Sequence, residues 1–191
     1  MKVFNLNNFG YVEDKIPKKL FNSLLQEIRY AESRNPDMIS DLTVTNTDIV
    51  KHKVLVDNKN ELLNYLSKPF DMFNSNYPGL ANIGALTRDL PFAFGEPWIN
   101  YQRKGEYVPN HKHDGIYSYT IWMKIPTKCK FEFTYTNVLG NIMFKQIYLT
   151  KKDEGKIIFF PAKLPHIAYP FNDSNDVRVS ISGNIRLNSD G

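Results

Sequence analysis

Residues 98–126 read WINYQRKGEYVPNHKHDGIYSYTIWMKIP and contain two of the four histidines of the chain, His111 and His113. A single residue separates the two. In an extended strand the side chains alternate between the two faces, so both imidazoles would lie on the same face. Two imidazoles on one face of a sheet are the beginning of a metal site. Such a site needs at least one further ligand from elsewhere in the chain.

The composition is typical of a globular protein, and the 191 residues are enough for one domain, which we expect to span residues 1–191. No apolar run has the length of a transmembrane helix and the N-terminus lacks a signal-peptide core, so we expect a cytoplasmic protein without membrane contact. Cys129 is the only cysteine, which excludes an intrachain disulfide and a cysteine-based zinc site. The net charge of +4 comes from scattered lysines, which favour a solvated surface and support nucleic-acid binding only weakly.

Residues 1–80 predict a mixed lead-in of helix and strand that packs on the core of the domain. The segment DIVKHKVLVD at 48–57 is rich in valine and predicts a strand. His52 lies in this strand between two lysines, and we interpret it as an ordinary strand histidine rather than a ligand. No catalytic chemistry is apparent in this part of the sequence.

Two helices are predicted in the lead-in, where they would support the core. Apolar residues recur at helical spacing over 17–33, and a second helix follows Asn58 or Asn60, either of which could cap it. Pro69 is expected to break or restart that helix, because proline removes a helical hydrogen bond.

From residue 82 the sequence changes to short aromatic and β-branched runs separated by turns. Eight such runs with little helical periodicity predict a mainly β (α+β) protein, with a double-stranded β-helix (jelly-roll) core over residues 82–187. The runs are 92–101, 106–113, 117–125, 130–136, 141–149, 156–160, 165–170 and 177–187.

The last of these runs places polar and apolar residues on opposite faces. Arg178, Ser180, Ser182 and Asn184 share one face, and valine and isoleucine occupy the other. A buried arginine costs several kcal/mol unless it is paired, so an inward Arg178 predicts a bound anion, and a carboxylate suits guanidinium best. His166 opens the preceding run.

Together these pieces resemble the 2-oxoglutarate- and Fe(II)-dependent oxygenases, specifically a phage and marine bacterial branch related to prolyl 4-hydroxylases. The resemblance covers about residues 92–187. It rests on Trp98-x-Asn100, KGEY at 104–107 before His111-x-His113, YSYTIWMKIP at 117–126, FFPAKLPH at 159–166 and RVSISGNI at 178–185.

The resemblance implies an oxygenase with Fe(II) and 2-oxoglutarate as cofactors. His111 and His166 would bind the metal. Arg178 would bind the distal carboxylate of 2-oxoglutarate with Ser180 hydrogen-bonded beside it, and Asn100 would also contact the cosubstrate. The open metal positions would take the 2-oxo acid and dioxygen, and hydroxylation would be coupled to decarboxylation of 2-oxoglutarate to succinate.

One position departs from the superfamily, which has Asp or Glu two residues after the first histidine. This chain has His113 there. The leading interpretation is a three-histidine site of His111, His113 and His166, as in some cupin dioxygenases. Alternatively, Asp114 replaces the carboxylate through a β-bulge, or the site binds metal poorly and is silent. A neutral imidazole in place of a carboxylate adds one positive charge to the site, which should weaken Fe(II) binding.

The site also requires that His166 and Arg178 share the inward face. In the hairpin that we expect their strands to form, His166 must lie opposite an even-numbered residue such as Ser180 or Ser182. A register with Ile181 opposite His166 would point Arg178 outward.

The leading functional hypothesis is therefore an Fe(II)- and 2-oxoglutarate-dependent dioxygenase that acts on a protein side chain, a nucleobase or a small molecule. Two alternatives remain open. One is a structural or assembly protein of a phage particle, with phage structural proteins as partners and a location in the virion, since a fold does not dictate function. The other is a cupin-like three-histidine dioxygenase without 2-oxoglutarate. If phage-encoded, the enzyme would act in the host cytoplasm.

Overall fold

The computed structural model describes residues 1–2, 10–34, 51–77 and 92–187. Helix α1 spans Lys18–Arg34, as the spacing of apolar residues predicted, and helix α2 spans Lys59–Asn76. Each helix buries one stripe of apolar side chains, which confirms the two supporting helices. The buried residues are Leu20, Leu24, Ile28 and Ala31 in α1, and Leu62, Leu66, Pro69 and Phe73 in α2. None of the helices in the described ranges is long and apolar enough to cross a membrane.

Helix α2 continues through Pro69, so the predicted break at this residue is wrong. Pro69 is itself buried in line with Leu66 and Phe73. Packing of this stripe against the sheet offsets the hydrogen bond that proline cannot make.

The start of α2 also differs from the expected side-chain cap. Asn58 occupies the N-cap position without a capping side-chain bond. Its amide donates to Glu27 Oε2 at 2.9 Å, and the Glu27 carboxylate accepts the backbone N–H groups of Val56, Asp57 and Asn58. A carboxylate of α1 therefore satisfies the backbone donors that precede α2.

Eleven strands occur in the described parts of the chain. They are β1 (Val12–Lys15), β2 (Lys51–Val54), β3 (Phe92–Phe94), β4 (Trp98–Gln102), β5 (Val108–His111), β6 (Tyr117–Lys124), β7 (Cys129–Thr136), β8 (Ile142–Leu149), β9 (Lys156–Pro161), β10 (His166–Ala168) and β11 (Arg178–Leu187). The predicted strand 92–101 is divided in two between Phe94 and Trp98, which gives nine strands over 92–187 where eight were predicted. His52 lies on β2, and its side chain is outside the described part of the structure.

The strands form two antiparallel sheets, which confirms the jelly roll. The larger sheet has the order β1-β9-β6-β11-β4-β2, with β3 also paired to β11, and the smaller has the order β5-β10-β7-β8. From β4 onward, most pairs of consecutive strands lie in different sheets, as in a double-stranded β-helix. The predicted boundary at residues 80–82 is outside the described ranges, so the single domain stays a prediction.

The two faces of the larger sheet have different partners. One face packs on the helices, and Val179 and Ile181 of β11 belong to that core with residues of α1 and α2. The other face covers the smaller sheet through a second apolar core that includes Trp122, Phe133 and Phe160. The even-numbered residues of β11, beginning with Arg178, alternate along the strand with Val179 and Ile181. They therefore face the space between the sheets.

The expected hairpin between the strands of His166 and Arg178 is wrong. Strand β10 pairs with β5 and β7, whereas β11 pairs with β3, β4 and β6. No register therefore relates His166 directly to Ser180 or Ser182. His166 and Arg178 are nevertheless both buried, because each lies on a strand that directs its side chain toward the interior between the sheets.

Candidate metal centre

His111 and His166 are brought together by pairing in the smaller sheet. His166 is the first residue of β10 and lies opposite His111, the last residue of β5. Their ring centroids are 4.3 Å apart. On its other side His166 lies opposite Phe133 of β7. Direct cross-strand partners share a face, so both imidazoles point into the space between the sheets.

His113 reaches the same place from the loop after β5, since the strand ends at His111 rather than at 113 as predicted. Its backbone N–H donates to the carbonyl of Ala162 at 2.9 Å. The Nε2 atoms of His113 and His166 are 3.2 Å apart. The ligand atoms of His111, His113 and His166 all lie within 4.8 Å of one another. The structure thus brings together the three histidines of the leading interpretation.

Backbone carbonyls orient two of these imidazoles. The Nδ1 atom of His111 lies 2.8 Å from the carbonyl oxygen of Pro109, and that of His166 lies 2.9 Å from the carbonyl oxygen of Leu164. A carbonyl oxygen only accepts, so Nδ1 carries a proton in both rings, and the lone pair of each neutral imidazole is on Nε2. Metal-binding histidines in proteins are held in the same way.

Burial keeps His166 neutral. The side chain is 3% exposed and is surrounded by the rings of Phe131, Phe133 and Phe160. Burial, followed by repulsion from His111, lowers the pKa of His166 from its usual value to about 3. The ring is therefore available as a neutral ligand at neutral pH.

Asp114 does not enter the cluster. Its side chain is 91% exposed, and its carboxylate pairs with Lys163 at 3.6 Å. The bulge that would turn this carboxylate inward is not found. Among the described residues, the metal-binding group consists of histidines alone.

Arg178 is buried at the start of β11. Its guanidinium donates to Gln102 Oε1 and, at 3.0 Å, to the carbonyl oxygen of Tyr169. Burial lowers the pKa of Arg178, and contact with Cys129 partly offsets that effect. No carboxylate forms an ion pair with Arg178 in the described parts of the chain. A buried cation with neutral acceptors alone favours the binding of an anion.

Asn100 and Ser180 lie opposite each other on β4 and β11 and are bonded to one another. The Asn100 amide nitrogen donates to Ser180 Oγ at 3.3 Å and to Ser182 Oγ at 3.0 Å, and its oxygen accepts the indole N–H of Trp98 at 2.9 Å. Within the structure both predicted cosubstrate residues thus belong to a polar network on the inner face of the larger sheet.

Two residues near the site, Gln102 and Tyr169, were not among the site residues predicted from the sequence. Gln102 could have been found from strand alternation, because it follows Asn100 by two positions and shares its inward face. Tyr169 contributes its main-chain carbonyl to Arg178. A carbonyl leaves no signal in the sequence.

The comparisons with known proteins agree with this geometry. Residues 96–184 match the family model described as "Putative 2OG-Fe(II) oxygenase". These residues, a little under half of the chain, are similar to the 2-oxoglutarate- and Fe(II)-dependent oxygenase superfamily. The match supports an enzyme of the oxygenase class, and the family implies Fe(II) and 2-oxoglutarate as cofactors. The narrower phage and marine bacterial branch has no support in the comparisons. The sequence matches none of the curated proteins with which it was compared.

Solved structures of low sequence identity share the fold of this oxygenase. A Pseudomonas putida prolyl-4-hydroxylase has a TM-score of 0.58 at 13% identity, covering 95% of this chain and 94% of that one. A Trichoplax adhaerens prolyl hydroxylase, in complex with a hypoxia inducible factor oxygen degradation domain peptide fragment, has a TM-score of 0.56 at 10% identity over 94% and 82%. A 2OG-Fe(II) oxygenase family oxidoreductase from Burkholderia pseudomallei scores 0.50 at 13% identity over 87% and 89%.

The residues of the oxygenase fit both cofactors. Imidazole is a suitable ligand for iron, and ligands about 2.1 Å from one ion at right angles are about 3 Å apart, close to the separation of the His113 and His166 Nε2 atoms. Arg178 has the charge and the donor geometry that a carboxylate requires. The site departs from the usual two histidines and one carboxylate in its charge, which is more positive by one unit.

Proposed function

We propose that this oxygenase is an Fe(II)- and 2-oxoglutarate-dependent hydroxylase whose iron is held by His111, His113 and His166. The observation that carries the proposal is the convergence of these three imidazoles, two of which have Nδ1 hydrogen-bonded to a carbonyl oxygen and therefore leave Nε2 for a metal. That arrangement matches what a divalent metal requires of histidine ligands.

Arg178 would hold the distal carboxylate of 2-oxoglutarate, and Gln102 would orient the guanidinium. The bound cofactors would supply the oxidising chemistry, in which one atom of dioxygen enters the substrate and the other enters succinate, with release of carbon dioxide. The ring of Phe171, 5.5 Å from the guanidinium carbon of Arg178, would help to exclude water there, which strengthens the charge interaction at Arg178.

A protein side chain is the substrate class that we favour over a nucleobase or a small molecule. Two proteins that share the fold are prolyl hydroxylases, and one of them was solved with a peptide fragment. A broad panel of peptides, nucleosides and small molecules would test this preference. Peptide-dependent hydroxylation supports it, and turnover with the other classes alone contradicts it.

The cofactor requirement is tested by anaerobic titration of the metal-free protein with Fe(II) and then 2-oxoglutarate, followed by the weak visible charge-transfer band of the ternary complex. We expect the band in the wild-type protein and its loss in His166→Ala. Release of succinate that depends on added iron gives a second measure. Absence of iron binding, of 2-oxoglutarate binding and of succinate release would contradict the proposal.

A cupin-like dioxygenase without 2-oxoglutarate is the second candidate, because its site has the same three neutral imidazoles. The two candidates differ at Arg178. Iron binding that is unaffected by 2-oxoglutarate, with oxygen consumption that does not require it, would favour the cupin-like enzyme. The structural-protein alternative has no support in the comparisons, which favour an enzyme.

A further inference from the structure

We propose that Asn100 is a positioning residue for the metal centre, which acts by holding the indole of Trp98 against His113. The inference rests on the proposed metal centre. It assigns Asn100 a role different from the contact with 2-oxoglutarate that the resemblance implied.

The Asn100 amide is fixed by hydrogen bonds at both ends. Its oxygen accepts the indole N–H of Trp98 at 2.9 Å. Its nitrogen donates to the hydroxyls of Ser182 at 3.0 Å and Ser180 at 3.3 Å. Both hydrogens of the amide nitrogen are thereby used, so the amide cannot rotate without losing bonds.

The hydroxyls that receive these bonds are themselves held in the sheet. Ser180 and Ser182 lie on β11, which is paired on both sides, with β4 and with β6. Ser182 Oγ is 3.1 Å from the hydroxyl of Thr120 on β6. The amide of Asn100 therefore connects the indole ring of Trp98 to three paired strands, β4, β6 and β11, and fixes the position of the ring.

The indole in turn packs against the imidazole of His113. The two ring centroids are 6.0 Å apart with the planes inclined at 61°, an edge-to-face contact. His111 and His166 lie within paired strands, but His113 lies in the loop beyond β5. Its ring must be presented in one orientation for Nε2 to face the cluster, and the indole limits the alternatives.

The contact between Trp98 and His113 also links the two sheets at the candidate metal centre. His111 and His166 belong to the smaller sheet, whereas Trp98, Asn100 and the serines belong to the larger. A ligand that stands in a loop between the sheets requires support from both. We therefore expect loss of the Asn100 amide to weaken metal binding without touching any ligand atom.

The test uses the full-length protein and Co(II) alone as the probe, since its absorption bands report both affinity and coordination. Asn100→Ala should weaken Co(II) binding by about 10-fold or more, the usual effect of removing a group that orients a ligand, and should change the band intensity. Trp98→Phe keeps an aromatic ring but removes the N–H donor, and should also weaken binding. The double variant should bind Co(II) no more weakly than Asn100→Ala, because both changes remove the same hydrogen bond between Trp98 and Asn100.

The matched control is Asn184→Ala. Asn184 lies on the same face of β11, and its amide oxygen accepts a hydrogen bond from the hydroxyl of Ser118 at 2.7 Å, where both side chains are buried. This variant should lose stability but bind Co(II) within about 2-fold of wild type. Equal losses of affinity in Asn100→Ala and Asn184→Ala would indicate a general structural effect and overturn the inference.

Two further outcomes separate this inference from the proposed function. If wild type binds neither Co(II) nor Fe(II), the metal centre itself is wrong, and the inference falls with it. If wild type binds metal and Asn100→Ala binds it equally well but has a lower affinity for 2-oxoglutarate, Asn100 contacts the cosubstrate, and the inference alone is overturned.

Discussion

The Nε2 atom of His166 lies 3.2 Å from the Nε2 atom of His113, although the two residues are 53 positions apart in the sequence. The Nδ1 proton of His166 is committed to the Leu164 carbonyl, so its Nε2 offers a lone pair to this contact. Two lone pairs at this distance repel unless a proton or a cation lies between them. In the metal-free protein a proton on the Nε2 atom of His113 meets this condition, and a metal ion held by His111, His113 and His166 would take its place.

We expect His113→Asp to retain metal binding and to bind Fe(II) more tightly than wild type, because a carboxylate restores the charge that the superfamily uses at this position. Anaerobic Fe(II) titration would measure the change. Asp114→Asn is the control and should leave the affinity unchanged, since this carboxylate is exposed and paired with Lys163. A large loss of affinity in Asp114→Asn would show that Asp114 is a ligand after all.

Replacement of Arg178 should remove most of the affinity for 2-oxoglutarate. We expect Arg178→Gln to weaken its binding to the iron-loaded protein by about 30-fold or more, as for the loss of one partner of a buried charge pair worth at least 2 kcal/mol. The affinity for Fe(II) should change little. Arg186→Gln, an exposed position of the same strand, is the control and should bind 2-oxoglutarate normally. Equal binding by both variants would exclude Arg178 from the cosubstrate site.

Acid should destabilise the metal-free protein through His166. Its pKa is lowered to about 3 in the folded state, so the unfolded chain takes up a proton at a higher pH than the folded one. The stability that this neutral ring contributes is complete above the unfolded value of about 6.5 and is lost as the pH falls, by up to about 1.4 kcal/mol per unit. Urea denaturation between pH 7 and pH 4 would measure the slope.

His166→Gln is the comparison for this effect, because it removes the titrating ring from the buried site. The slope between pH 6.5 and 4 should be smaller in the variant than in wild type. The lowered pKa values of Asp14 and Asp153 act in the same direction but only near and below their usual value of 3.8. An unchanged slope would show that His166 is not held neutral.

Glu27 should contribute to stability through the segment that precedes α2. Its carboxylate accepts the backbone N–H groups of Val56, Asp57 and Asn58 at 2.7 to 3.0 Å. Glu27→Ala removes a charged acceptor that these donors share, and we expect a loss of about 1–3 kcal/mol in the free energy of unfolding. Gln26→Ala, at an exposed neighbouring position, should cost less than about 0.5 kcal/mol. Similar losses in the two variants would contradict the role of Glu27.

Much of the fold and the composition of the site could be predicted from local patterns. Alternation along β11 assigned Arg178 to one face and Val179 to the other, and the structure places Val179 in the core under the helices. The apolar spacing predicted α1 and α2. Strand alternation put His111 and His113 on one face, and the resemblance to the oxygenases added His166 as a ligand.

Other features depended on contacts that no local pattern contains. Pro69 stays helical because its neighbours in α2 are buried, which a hydrogen-bond rule does not consider. The hairpin between β10 and β11 was predicted from their order in the chain, but a jelly roll sends successive strands to different sheets.

The sequence by itself determined which residue types this protein can use: three histidines in two motifs, a strand that alternates, and an arginine at its start. Local sterics and the period of a strand suffice for that, because they act between near neighbours. Only the tertiary structure decided that Asp114 points to Lys163, that Gln102 meets Arg178, and that Asn100 holds Trp98 beside His113. Those contacts join distant segments, and their geometry follows from how the two sheets pair and pack.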